Sequence, residues 1–175
     1  MDSRILKSLV DMAHAPIRNY AIPGLTSWLI APRSEKGCIR LFTMEREHEE
    51  AIVPHSHRFD FQCYVLEGWV TNTIWTPGNE GDLYHSTILH YAGEPGAYTV
   101  EDGCSTTFSK KSTRYYTGDR YDMAQDDIHT INFSRGAKVL FFEGPQITDS
   151  SLVLQPVVEG YGVVPTFKVQ AWMFK

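Results

Sequence analysis

Residues 54–68 read PHSHRFDFQCYVLEG, and the reading of the whole chain turns on this stretch. On a strand successive side chains take opposite faces, so His55 and His57, two residues apart, project the same way. Two imidazoles so placed can bind one metal ion. Taken alone the pair is also what chance produces in a histidine-containing strand, so a third ligand from elsewhere in the chain is required. Beyond it, Phe61, Cys63 and Val65 share one face of a regular strand.

Working outward, residues 2–13 (DSRILKSLVDMA) place Ile5, Leu6, Leu9, Val10 and Ala13 on one helical stripe, with Asp2 or Ser3 as cap. After the IPG turn at 22–24 the chain changes to β-branched and aromatic runs punctuated by Gly, Pro, Asn and Asp. Strands are expected at 26–31, 38–46, 50–57, 62–67, 69–76, 84–92, 96–101, 105–109, 120–123, 128–133, 137–143, 152–158 and 165–174. The segments 77–82 (PGNEGD) and 102–119, around SKKST, read as loops. Many short strands with frequent turn signals predict a mainly β protein, an antiparallel sandwich or barrel opened by a short N-terminal helix. No repeat, linker or low-complexity tract divides the chain, and one domain over 1–175 is expected.

A second stretch carries another histidine. Gly118, five residues, Ala124, Gln125, Asp126, two residues and His129 follow about fifty residues after the first. Together the two stretches, about 54–68 and 118–132, resemble the paired motifs of the cupins. The first of those motifs runs HxH, three or four residues, Glu, six residues, Gly. The second runs Gly, five residues, Pro, one, Gly, two, His; here Ala124 and Asp126 replace its Pro and second Gly. The resemblance implies a double-stranded β-helix, a jelly-roll barrel, with a metal held inside by His55, His57 and His129. Neutral imidazoles suit Fe(II), Mn(II), Ni(II), Cu(II) or Zn(II), and three protein ligands leave positions open for substrate.

One departure bears on chemistry. Where cupins carry a metal-binding Glu, counting back seven from Gly68 gives Phe61, and the longer spacer gives Gln62; neither is a carboxylate. Three histidines without the acid resemble the thiol dioxygenases of the cupin superfamily, which bind Fe(II) and oxidise a thiol to a sulfinate with O₂. A neutral shell leaves the ion's charge uncompensated and favours an anionic ligand such as a thiolate. Asp60 is the nearest carboxylate; it could orient a ligand ring, ligate directly, or cap the turn it stands in. Gln62 could coordinate through its amide oxygen or face outward across the sheet. Tyr115, Tyr116 and Tyr121 precede His129, and Tyr116, with Asp60 and Gln62, is carried as a catalytic candidate, although aromatic residues on strands commonly belong to the core.

Other residues complete the inventory. Cys63 would turn into the barrel as a packing residue or a substrate contact. Arg40, Arg58, Arg114 and Arg120 could each clamp a substrate carboxylate. His85 and His90, five apart, fall on opposite faces of one strand and are not expected to complete one metal site together, though either could support a ligand from behind. His14 and His48 read as solvent-facing. Trp69, Trp75 and the terminal WMF supply core or dimer contacts, so a homodimer is one assembly this surface suits.

Charge and cysteine usage exclude several classes. Sixteen Lys+Arg against 21 Asp+Glu give a net charge of −5 with the positives scattered, which disfavours nucleic-acid and anionic-membrane binding. Three separated cysteines form no disulfide framework or zinc ribbon. Asp2, Arg4, Lys7 and Asp11 stand where a signal peptide would be apolar, and a cytoplasmic location is expected. The expected partner is a small molecule. Three functions remain open: a three-histidine Fe(II) dioxygenase, a non-redox metal-dependent isomerase or lyase, and a non-catalytic binding barrel. The 2-oxoglutarate oxygenases of the same fold use HxD, whose Asp position is held here by His57.

Overall fold

The computed structural model describes residues 3–20, 22–47, 53–92, 97–158 and 162–163. One helix, α1 (Ser3–Met12), precedes the strands β1 (His14–Arg18), β2 (Leu25–Ser34), β3 (Gly37–Met44), β4 (Phe61–Glu67), β5 (Trp69–Gly78) and β6 (Asp82–Tyr91). They are followed by β7 (Tyr98–Tyr116), β8 (Arg120–Met123), β9 (Ile128–Phe133), β10 (Lys138–Glu143), β11 (Ser150–Val158) and β12 (Gly162–Val163). No helix among the described residues is long and apolar enough to cross a membrane.

The strands form two antiparallel sheets, ordered β1-β2-β3-β10-β4-β8 and β12-β11-β6-β7-β5-β9. From β3 onward the chain passes repeatedly from one sheet to the other: β3 lies in the first, the 54–56 segment bonds to the second, β4 returns, and β5 crosses again. The pattern resumes with β8, β9, β10 and β11. That alternation winds the chain as a double-stranded β-helix, a jelly-roll barrel.

Side-chain parity then decides what lies between the sheets. Along β4, Phe61, Cys63 and Val65 are buried while Gln62 and Glu67 are exposed. On the neighbouring strands the buried partners are Tyr121 and Met123 of β8 and Val139 and Phe141 of β10, and β5 and β9 contribute Val70 and Phe133 from the opposite sheet. Each fully buried side chain of this kind contributes about 1.5–3 kcal/mol. The outer face of the first sheet has its own cluster, Leu41 and Leu66 with Trp28, Tyr64 and Leu140, and α1 covers it through Leu9. Ile5, on the same helical stripe, stays 54% exposed.

The sequence reading needs correction in three places. Residues 53–57 are not a strand: only His55 makes bridges. Pro54 has no N–H, and the Leu152 N–H is taken by the Ser56 hydroxyl at 2.9 Å, so the ladder stops after one pair. Of the stretch 102–119 only 117–119 is a turn; the rest is not a loop either. β7 runs unbroken from Tyr98 to Tyr116 because β6 takes one of its edges and β5 the other, satisfying its backbone in spite of its polar composition. β1 was not expected. The strand read at 165–174 and the stretch 48–52 lie outside the described residues.

The β2–β3 turn supplies a test of the register that seats β3 on β10. Gly37 has φ +102°, and a Cβ there would stand 1.8 Å from the Glu143 carbonyl oxygen; at Gly136, φ +77°, it would meet nothing within 4 Å. Gly37→Ala is expected to destabilise the protein by about 2–4 kcal/mol, against about 1–2 kcal/mol for Gly136→Ala, which bears backbone strain alone. Urea unfolding of both variants measures the difference, and equal losses would contradict the register.

Candidate metal centre

The site begins with one backbone pairing. His55 N–H donates to the His129 carbonyl at 3.1 Å and His129 N–H returns the bond at 3.0 Å. Residues directly opposite in an antiparallel pair place their side chains on the same face, so these two imidazoles must lie together. On its other edge the segment bonds β11, with Ser56 N–H to the Leu152 carbonyl at 2.8 Å and Leu154 N–H to the Pro54 carbonyl at 2.9 Å. His57 is held by its N–H to the Gln125 carbonyl at 3.0 Å. The three ring centroids are 4.8–5.1 Å apart. One ligand atom from each of His55, His57 and His129 lies within 4.8 Å of the others.

Hydrogen bonds fix two of the three tautomers. His55 Nδ1 is 2.8 Å from the Val53 carbonyl and His129 Nδ1 is 2.7 Å from Asn72 Oδ1. Both oxygens can only accept, so each Nδ1 carries the proton and each Nε2 keeps its lone pair. The Nε2 atoms of His57 and His129 are 2.9 Å apart. Two nitrogens at right angles on one ion, with bonds of about 2.1 Å, would be about 3 Å apart. The donor set therefore fits a divalent transition metal.

Electrostatics favours the metal-binding form of each ring. Burial holds His55 below the ordinary histidine value, against the opposing effect of its bond to Val53. Burial holds His57 and His129 well below it, helped at His57 by the charges His55, His129 and Arg58 would present, and at His129 by that of His55. Uncharged imidazoles are the form that coordinates metal.

The three rings line a cavity of about 130 Å³ whose remaining wall is largely apolar and aromatic, including Phe59, Phe61, Phe133 and Phe141. Phe61, at the position counted for an acid, sets its ring against His57 at 4.7 Å and 73°. No carboxylate joins the cluster among the described residues. Glu143 lines the cavity and accepts from the Cys38 thiol at 3.3 Å. Cys63 faces inward, and burial pushes its thiol up to about 12. Burial likewise raises the Tyr121 hydroxyl well above its ordinary value, so it stays protonated.

The other candidates lie elsewhere. Asp60 is exposed and lines an outer groove; its carboxylate accepts from Gln125 N–H at 2.8 Å, steadying the turn whose carbonyl holds His57. Gln62 is exposed on β4 opposite Asp122, and Tyr116 is 56% exposed beside Trp69 on β5. None of the three lines the cavity. Tyr121 does, because it shares the inward parity of β8 with Met123.

Among the arginines, Arg58 lines the cavity and Arg40 is buried with its guanidinium donating to Ser27. Arg114 stacks on Trp69, and exposed Arg120 reaches toward the Tyr64 hydroxyl. His85 and His90 bond Asp102 and Glu101 on β7, apart from the cluster. The His14 side chain and His48 are outside the described residues. Asn72 escaped the sequence reading, although a signal for it existed: it is a polar residue at the inward parity of β5, between Val70 and Ile74.

The neutral rings predict a pH dependence. Between the lowered native values and the unfolded value near 6.5, the unfolded chain binds protons that the native state refuses, so stability falls as pH drops through that window. Each histidine contributes a slope of up to about 1.4 kcal/mol per pH unit. Denaturant titrations of chelator-treated protein from pH 7.5 to 5 are expected to show a steep loss, shallower for His57→Gln. A flat profile would mean that the rings protonate in place.

No protein-family model matches the chain, and no curated protein does. Among solved structures, KdgF from Halomonas sp. is 15% identical over 76% of this chain and 90% of that one, with a TM-score of 0.44. An RmlC-like cupin from Shewanella frigidimarina is 14% identical over 69% and 77%, with a TM-score of 0.38. Streptomyces albus HEPD, solved with 2-hydroxyethylphosphonate and Fe(II) bound, is 12% identical over 78% of this chain and 25% of that one, with a TM-score of 0.48. The molecule's own strand order is that of a jelly-roll barrel, with three convergent imidazoles inside it.

Proposed function

We propose that the protein is a metal-dependent cupin enzyme, an Fe(II) dioxygenase acting on a small anionic molecule, with a thiol as one candidate substrate. The observation that supports this reading is the composition of the cluster: His55, His57 and His129 without a carboxylate, and Phe61 where an acid would stand. A neutral ligand set leaves a dipositive ion's charge for an anionic substrate to balance. When bound, such an ion supplies open coordination positions for that anion and for O₂.

The chain's own residues do the rest. Val53 and Asn72 hold two rings in the tautomer that presents Nε2. The phenylalanine wall excludes water from the reacting centre. Cys63, kept protonated, does not compete as a thiolate ligand, and the neutral Tyr121 hydroxyl can donate a hydrogen bond into the cavity. For a thiol the stoichiometry closes without a further reductant: RSH + O₂ gives RSO₂H, with both oxygen atoms in the product.

The test compares metals. Protein loaded with Fe(II) is expected to consume O₂ with at least one member of a panel of small thiols and other anionic chelating substrates. Zn(II) should bind and be inert, since it does not change redox state. Turnover under anaerobic conditions with Zn(II) or Mn(II) would overturn the dioxygenase reading in favour of Lewis-acid isomerase or lyase chemistry. Tightly held Zn(II) with no Fe(II)-dependent turnover would overturn it in favour of a binding barrel.

A further inference from the structure

The residue after the histidine pair is unusual for a wall built mainly of aromatic rings. Arg58 lines the cavity and is the only Lys or Arg that does so among the described residues. Its backbone is pinned, because its carbonyl accepts from Ile147 N–H at 2.8 Å and Thr148 N–H at 3.3 Å. Its head is pinned too. The guanidinium carbon lies 4.2 Å from the centroid of the Tyr91 ring, and the Tyr91 hydroxyl shares a 2.7 Å hydrogen bond with Ser151. The ring face holds the cation through its π-system and leaves the guanidinium N–H edge unused.

No carboxylate of the described residues lies within ion-pair distance of Arg58, and Glu143, the only acid lining the cavity, is engaged with Cys38. A half-buried cation without a counter-ion has lost part of its hydration and regains the deficit when an anion arrives. One arginine fork matches one planar carboxylate in two parallel hydrogen bonds.

The rest of the cavity limits the body of that anion. Its volume of about 130 Å³ is close to that of apolar cavities of about 150 Å³ that take up one benzene ring, and five phenylalanines line it. We propose that Arg58 is a specificity-determining residue that holds the carboxylate of a substrate whose apolar body, about the size of one aromatic ring, fills the cavity. This deepens the enzymatic reading above and rests on it for the word substrate; the binding itself needs no metal.

The experiment therefore uses full-length, chelator-treated protein, with benzoate as probe and benzamide as its uncharged counterpart, and dissociation constants from ligand-observed NMR titration. Benzoate is expected to bind the wild type more tightly than benzamide does. Arg58→Gln should weaken benzoate by about tenfold or more while leaving benzamide within about twofold, which also reports an intact cavity. Arg58→Lys, which keeps the charge and loses the fork, should fall between. The proposal is overturned if neither probe binds the wild type, if benzoate and benzamide bind alike, or if Arg58→Gln weakens both equally or neither. Because the protein is metal-free throughout, a failure here is separate from a failure of the Fe(II) chemistry, which the metal comparison reads.

Discussion

The site depends on a single reciprocal pair of backbone hydrogen bonds between His55 and His129. It joins a short segment of chain to β9, and bonds from the same segment to β11 hold its other edge. Once that pair is formed, His129 stands directly opposite His55 on the same face, and His57, beyond the end of the ladder, is brought to them by its N–H bond to the Gln125 carbonyl. A slip of one residue would turn both histidines of the pair away from the cavity. The devices around the segment act against such a slip. Ser56 closes the ladder with its hydroxyl, and Asp60, outside the cavity, steadies the turn that carries the Gln125 carbonyl to His57.

Burying three imidazoles together among phenylalanines has two consequences that reinforce each other. Each ring would lose hydration and repel its neighbours if protonated, so the cluster stays neutral and its Nε2 lone pairs remain available. Among the described residues, the same wall leaves Arg58 as the one Lys or Arg lining the cavity beside them. Neutral donors and a single cation make the cavity receptive to negative charge. An acidic ligand at position 61 would remove that character; Phe61 instead packs its ring against His57.

Much of this was legible in the sequence. The spacing of His55, His57 and His129 marked the cluster, and the count back from Gly68 marked Phe61. The alternation Phe61, Cys63, Val65 already implied that Gln62 turns outward, whereas Tyr121 is set apart from Tyr116 only by the structure, which buries it with Met123 on β8. What could not be read was non-local. β7 is polar along most of its length and becomes a strand because two neighbours claim its edges. The 53–57 stretch has strand-like composition and is not a strand, because Pro54 and the Ser56 hydroxyl end its ladder. Choosing Arg58 among four arginines required the position of Tyr91, 33 residues away in sequence.

The central claim is that His55, His57 and His129 together hold one divalent metal ion. Elemental analysis after loading with one divalent metal and gel filtration, on the wild type and on the His55→Ala, His57→Ala and His129→Ala variants, tests it most directly. With circular dichroism confirming the β fold in each, about one ion per chain is predicted for the wild type, with most of it lost in every variant, since two imidazoles make an incomplete shell. Full metal content in all three variants would contradict the account.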